Sequence, residues 1–432
     1  MDDTVVLDGR SAARRHRRRS ASMLLVGSLT LLVSAAACGS DDDGSEPGPV
    51  DSSAAASALG PVRAAAGEPV KIGIVSDGRS AAIDNSVQFD VAEATAKYLN
   101  EHRGGIGGRP VELVTCETQA DPAKATDCGN QMIENDVVAV AVGESGVGDS
   151  VWEPLAAADV PVMLYGATNP TVLSDPTTFT VSDPNFGIQQ LPIAIAKAEK
   201  LSKVTSVVID VPALLHNVEE VAPRLMEEAG LDYQLVRVPP GTADMTPQLQ
   251  GVVGDEPSMA FVVGNDSFCI SAFNGLKAVG YDGPISAISQ CITDATRDAV
   301  PGDVLDGMTV AASMPTGGDD PSTVLYNAVL ETYGKDIDAS SSTGRGMFVT
   351  FAGLAVALEG ITGDVTPATA ATAISSMPEK ELPGAGGLRF RCNGKAFPET
   401  PAVCVRGGLT TVLDNEGQST AFKVVASSPI PD

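Results

Sequence analysis

Val70-Lys71-Ile72-Gly73-Ile74-Val75-Ser76 is a β-branched apolar run that stops at Asp77-Gly78. An apolar run without strict alternation reads as a strand buried on both faces, and Asp-Gly as the loop that ends it. Apolar residues then fall at Val87, Val91, Ala94 and Tyr98, one face of a helix over 87–99. Gly104-Gly105-Ile106-Gly107-Gly108 ends that helix in a turn. A strand is expected over 111–115, a helix over 122–134 capped by Asp121, and a strand over 137–142. A helix over 147–158 and a strand over 160–164 follow. Strand and helix thus alternate about every 30 residues, the rhythm of a parallel sheet with helices on both faces.

The pattern restarts with a helix over 186–200 and strands over 204–209, 233–238, 259–263 and 285–288, joined by helical segments. Beyond a strand over 308–312, three helices come without strands between them (321–333, 345–361 and 366–376), and the tail is strand-like. The expected fold class is α/β, with two doubly wound parallel-sheet lobes, several crossings between them, and therefore a hinge and a cleft. We assign 69–184 and 310–387 to the first lobe, and 185–309 and 388–432 to the second.

The N-terminus carries a basic block from Arg14 to Arg19, then an apolar run over 23–33 and small residues up to Cys38. That is the order of a secretory signal, and the run is shorter than the roughly 20 residues a spanning helix needs. Residues 1–37 are read as a signal peptide. Ser34-Ala35-Ala36-Ala37-Cys38-Gly39 resembles a bacterial lipobox, which makes Cys38 the expected lipidation site. Residues 38–68 contain Asp41-Asp42-Asp43 among Gly, Ser, Pro and Ala, and read as a solvated tether. The net charge of the 432-residue chain is −27 despite that basic leader, so the body repels phosphate backbones and nucleic acid is excluded as a partner. Six cysteines remain after Cys38, an even number suited to disulfides in an oxidising compartment. Of fifteen possible connectivities, local pairing is expected: Cys116 with Cys128, Cys269 with Cys291, and Cys392 with Cys404.

Ligands of open parallel sheets bind outside the carboxyl ends of the strands. Gly143-Glu144-Ser145-Gly146 lies at such an end and opens a helix, so its free N–H groups and the Ser145 hydroxyl suit an anion. Gly166 and Thr168 face the same edge from the next strand. Catalysis finds little material. Gly143 to Val147 fails the Gly-x-Ser-x-Gly elbow at its last position, and the downstream base would be His216. The chain has three histidines, no C-x-x-C, no Walker loop and no HExxH, so neither a metal nor a cofactor is expected.

Lys71-Ile72-Gly73-Ile74-Val75, the span from Asn100 through Gly104 to Pro110, Asp121-Pro122-Ala123-Lys124-Ala125, Gly143-Glu144-Ser145-Gly146 and Val160-Pro161 through Gly166-Ala167-Thr168-Asn169-Pro170 occur in that order. In this arrangement the chain resembles the type I periplasmic binding proteins, specifically the branched-chain amino-acid and amide-type solute-binding proteins of ABC importers. The resemblance implies that Ser145 binds a ligand carboxylate, that Gly166 offers backbone, and that Thr168 binds carboxylate and amine. It also implies a monomer that is not an enzyme, capturing a small amino acid-like, carboxylate-bearing molecule and delivering it to an ABC permease, with the membrane reached through the lipid anchor alone.

The second lobe departs from that pattern. Ser289 and Gln290 stand where amino-acid binders place an acid, Asn265 and Asp266 stand where they place an aromatic, and Asp84 takes a position that is often Tyr. A buried ammonium without a carboxylate costs several kcal/mol. Either Asp84 or Asp266 supplies that charge, or the ligand lacks an amine. Two alternatives carry less weight: a ligand sensor for a membrane receptor, and a secreted hydrolase using Ser145.

Overall fold

The structure is a computed structural model describing residues 52–432, except 81–83, 212–213, 216, 254–256, 313 and 318–319. The leader and Cys38 lie outside the described residues, as does His216. Five strands, β1 (Val70–Ser76), β2 (Val111–Glu117), β3 (Ala139–Val142), β4 (Val162–Leu164) and β5 (Thr178–Thr180), form an all-parallel sheet in the order β2-β1-β3-β4-β5. A second sheet holds β6 (Lys203–Ile209), β7 (Asp232–Val238), β8 (Ser258–Val263), β9 (Ile285–Ala287) and β10 (Thr309–Ala312). After a two-strand ribbon of β11 (Lys380–Glu381) and β12 (Arg389–Phe390), the chain adds β13 (Gly408–Leu413) and β14 (Ser419–Val425) antiparallel at the second sheet's edge.

Period-two alternation sorts the first sheet's side chains between two cores. Ile72, Ile74, Ala139 and Ala141 face helices Val87–Tyr98, Pro321–Tyr333 and Ser342–Ala357, whereas Val75, Val140 and Val142 face Pro122–Glu134 and Gly148–Ala157. Helix Ser342–Ala357 is buried along nearly its whole length, including Phe348 and Phe351, which explains why it lacks an amphipathic pattern. The second sheet likewise separates Val207, Ala260 and Val262 from Val204, Val208 and Phe261.

Asp121 caps helix Pro122–Glu134 as expected, accepting from the N–H groups of Ala123 at 2.8 Å and Lys124 at 3.2 Å. Asp121→Ala should cost about 1 kcal/mol, read as a lower urea midpoint at unchanged slope. The disulfides pair locally: Cys116–Cys128 ties β2 to that helix, and Cys269–Cys291 and Cys392–Cys404 each staple one core.

The domain boundaries need three corrections. The end of the expected tether is folded: Ser52–Leu59 is a helix packed against Pro321–Tyr333, Leu59 is buried in the first core, and the N–H groups of Arg63 and Ala65 donate to the carbonyls of Glu101 and Asn100. Thr309–Ala312 pairs with β9 and β13, so residues 310–312 belong to the second sheet, not the first lobe. Residues 388–405 belong with the first lobe, because Phe390, Cys392, Val403, Cys404 and Val405 are buried in the same core as Met163, Phe179 and Phe348. Single bridges from Val403 to Thr180 and from Val405 to Phe390 hold this segment, which is why its apolar alternation resembles strands of the other sheet. The chain therefore passes between the sheets after β5, after β10 and just before β13.

Candidate functional site

The carboxyl ends of β1, β3 and β4 place Asp77, the loop 143–147 and the loop 165–169 at one edge of the first sheet. Asp77 directly follows β1 and is 1% exposed. Its Oδ1 accepts from the Ser145 hydroxyl at 2.6 Å and from the Thr118 hydroxyl at 2.8 Å, and its Oδ2 accepts from the Gly146 N–H at 2.8 Å. Ser145 Oγ in turn accepts from the Val147 N–H at 3.2 Å. The anion position at the start of helix Gly148–Ala157 is therefore occupied by a carboxylate of the chain itself. The sequence anticipated the donors and missed this acceptor, because nothing local marks Asp77 as more than a turn residue.

The other expected residues are dispersed. Gly166 and Thr168 are exposed at the neighbouring loop, and a Cβ on Gly166 would stand 2.5 Å from Ser182 Oγ. Asp84 is exposed, accepts from Ser86 N–H and hydroxyl at 3.1 and 2.6 Å, and pairs with Arg79 at 2.9 Å. Those Ser86 hydrogen bonds, with Arg79 adding to them, hold its carboxyl below the ordinary range. Asp266 opens helix Asp266–Ala278, its Oδ1 accepting from the Ser267 N–H at 2.7 Å. Neither aspartate borders the cleft cavity described next.

Ser289 and Gln290 do border a cavity, of about 330 Å³, between the two sheets. The first lobe contributes Tyr165, Val181, Ser182, Val349 and Leu382, the second Ile188, Ile288 and Ala311, and the crossings Asp183, Phe186, Gly407 and Gly408. A second cavity of about 300 Å³, beside Tyr281 and Asp303, lies by the amino ends of β9 and β10, the edge where parallel sheets do not bind ligands. The residues missed in the first cavity sit on a lobe-switching segment. The one signal for them is position, just beyond the carboxyl end of a strand.

Asp183 is the charged residue of the cavity wall. It accepts from the Asn185 N–H at 2.9 Å, the Gln190 amide at 2.7 Å and the Gly407 backbone, tying two crossings together. Burial outweighs those donors and pushes its carboxyl up to about 6. Glu144 has its carboxyl raised by burial too. Its carbonyl accepts from the amides of Gln88 and Asn85 at 3.0 and 3.4 Å, which fixes the loop that carries Ser145. The Ser145 hydroxyl donates to Asp77, and among the described residues no imidazole is paired with it. Among the described residues no group of three His, Cys, Asp or Glu side chains is placed to hold a metal, and no helix is long and apolar enough to cross a membrane.

Among solved structures, the chain is similar to an ABC transporter substrate-binding protein from Sphaerobacter thermophilus, at 20% identity and TM-score 0.63 over 84% of this chain and 98% of that one. It is also similar to the branched-chain amino acid transporter substrate-binding protein from Streptococcus pneumoniae in complex with isoleucine (16%, TM-score 0.58, 83% and 99%). A third is the fatty acid ABC transporter substrate-binding protein from Thermomonospora curvata (16%, TM-score 0.59, 86% and 95%). At these identities the likeness establishes the fold. No match was found among curated proteins. The family model described as periplasmic binding protein matches residues 69–408. With two α/β sheets, repeated crossings and a cavity between them, the chain belongs to the periplasmic binding protein family.

Proposed function

We propose that the protein is the substrate-binding component of an ABC importer, anchored outside the cytoplasmic membrane through lipidated Cys38. The observation that carries this reading is the cavity of about 330 Å³ whose wall is shared by both lobes and the crossings between them. A ligand there touches both sheets at once and so favours the closed arrangement of the hinge, which a permease distinguishes from the open one. Binding without turnover agrees with a wall of apolar, hydroxyl and amide groups around one hydrogen-bonded carboxylate. The similar Streptococcus pneumoniae protein is in complex with isoleucine and the Thermomonospora curvata protein is a fatty acid transporter component, so a partly apolar small molecule is the expected cargo.

The test is a thermal-shift screen of amino acids, amides, amines and short fatty acids on the mature chain. A true ligand at a hundredfold its Kd stabilises by about 2.7 kcal/mol. Bulk introduced at the cavity wall by Ala311→Leu should abolish the shift, while an equally conservative change outside it should not. For the anchor, incorporation of labelled palmitate is expected in the full chain and is expected to disappear in Cys38→Ser.

A further inference from the structure

We propose that the cavity between the two sheets takes an amphiphile bearing one cationic nitrogen, and that Asp183 receives its positive charge. This rests on the reading of the cavity as the ligand site and names the chemistry of what enters it.

Asp183 borders the cavity and is 7% exposed. Its hydrogen-bond partners are all neutral: the Asn185 N–H at 2.9 Å, the Gln190 amide at 2.7 Å and the Gly407 backbone. They orient the group without cancelling its charge, and burial raises the carboxyl in spite of them. Among the described residues no lysine, arginine or histidine borders the cavity, and none pairs with Asp183. A buried carboxylate without a counter-charge is costly. An ammonium in the cavity supplies that counter-charge, and the dry surroundings strengthen the attraction. A carboxylate accepts about four hydrogen bonds, so a ligand N–H still finds a lone pair beside the three donors already there. A ligand anion meets like charge and no cation. The rest of the wall sets the body of the ligand. Ile188, Val349, Leu382 and Leu409 bring apolar side chains from both lobes, and Phe186 adds one from the crossing after β5. Hydrocarbon beyond a charged nitrogen covers that wall, whereas a wholly polar cation leaves it bare. Because Asp183 lies on the crossing after β5 and accepts from Gly407 just before β13, the cation is held at the hinge itself.

The test varies the end group on a fixed body: hexylamine, hexanamide and hexanoate, then benzylamine, benzamide and benzoate. Binding is measured by calorimetry at neutral pH on the mature wild type and on Asp183→Asn, with folding checked by circular dichroism. The wild type is expected to bind each amine at least about tenfold more tightly than its amide, and each acid more weakly still. Asp183→Asn is expected to lose about tenfold for the amines while keeping its affinity for the amides, a split that general damage to the hinge would not produce. The wild-type order of amine, amide and acid is a test of its own if the variant does not fold. An amide or acid that binds the wild type as tightly as its amine overturns the proposal. So does a folded Asp183→Asn protein that keeps the amine preference or loses both classes equally. If no probe binds, the cationic class is wrong. A cargo of other chemistry, with a thermal shift that Ala311→Leu abolishes, would then leave the ligand-site reading standing, and the lack of any such cargo would remove both.

Discussion

Gly407→Ala is expected to destabilise the protein by roughly 4 kcal/mol, near the upper limit for a single substitution. Gly407 has φ +76°, a left-handed conformation that costs a residue with a Cβ about 1–2 kcal/mol. The larger part is packing. An added Cβ would lie 2.2 Å from the Val425 carbonyl oxygen, 2.6 Å from Ala426 C and 2.7 Å from Ser427 N. These are backbone atoms at the end of the edge strand β14, which cannot rotate aside as a side chain would, so the crossing and the strand must separate. A control isolates this contribution. Gly241 has φ +80° with nothing within 4 Å of the added Cβ, so Gly241→Ala should cost only about 1 kcal/mol. Urea midpoints of the two variants that coincide would sink the packing argument. Because the Gly407 N–H also reaches Asp183 and the residue lines the cavity, the variant should lose ligand affinity as well as stability.

How much of this was legible in the sequence depends on range. Local signals were read well: the apolar run at β1, the Asp121-Pro122 helix start, and the disulfides between cysteines close in sequence. The two-lobe α/β architecture followed from the repeated strand-helix rhythm. What failed was anything decided by which sheet claims a segment. Residues 388–405 alternate like strand, yet Phe390 and Val403 are drawn into the first core, and the alternation cannot say which core they fill. The site divided along the same line. Ser289 and Gln290 reach the cavity because they lie just beyond Ile288, which follows β9 of the second sheet. Ser145 was recognised as a donor, but its partner is 68 residues away in sequence and is brought to it only by β1 and β3 pairing side by side. The partners of Asp84, Ser86 and Arg79, are close in sequence and set by its turn. Asp183 and Phe186 belong to no motif and gain their position from the crossing after β5.

Asp183 should make the protein lose stability as pH rises from about 4 to 6. Its carboxyl is shifted from 3.8 to about 6 by burial, so across that interval the folded protein holds a proton that the unfolded chain releases. Stability falls with pH wherever the folded state binds more protons, so the effect is absent below the unfolded value and complete above the folded one. The expected size at neutral pH is on the order of 3 kcal/mol. Other carboxyls contribute as well: Glu144, raised by burial, acts with the same sign, and Glu359, lowered in spite of burial by its Lys380 and Arg103 partners, acts with the opposite sign below its ordinary value. The measurement is therefore a difference: unfolding free energies of wild type and Asp183→Asn, each at pH 3.5 to 7.5. The asparagine keeps one acceptor for the Asn185 N–H, and Gln190 turns its amide to offer oxygen to the new NH₂ group. At low pH the two proteins should be close in stability, and the variant should gain on the wild type by about 3 kcal/mol as pH passes 6. A difference that stays flat with pH would mean that the hydrogen bonds from Asn185, Gln190 and Gly407 fully offset burial. A bound cation should shrink the gap, because positive charge beside Asp183 favours its ionised form. Repeating the series with an amine ligand therefore links the pH behaviour of the hinge to the charge of its cargo.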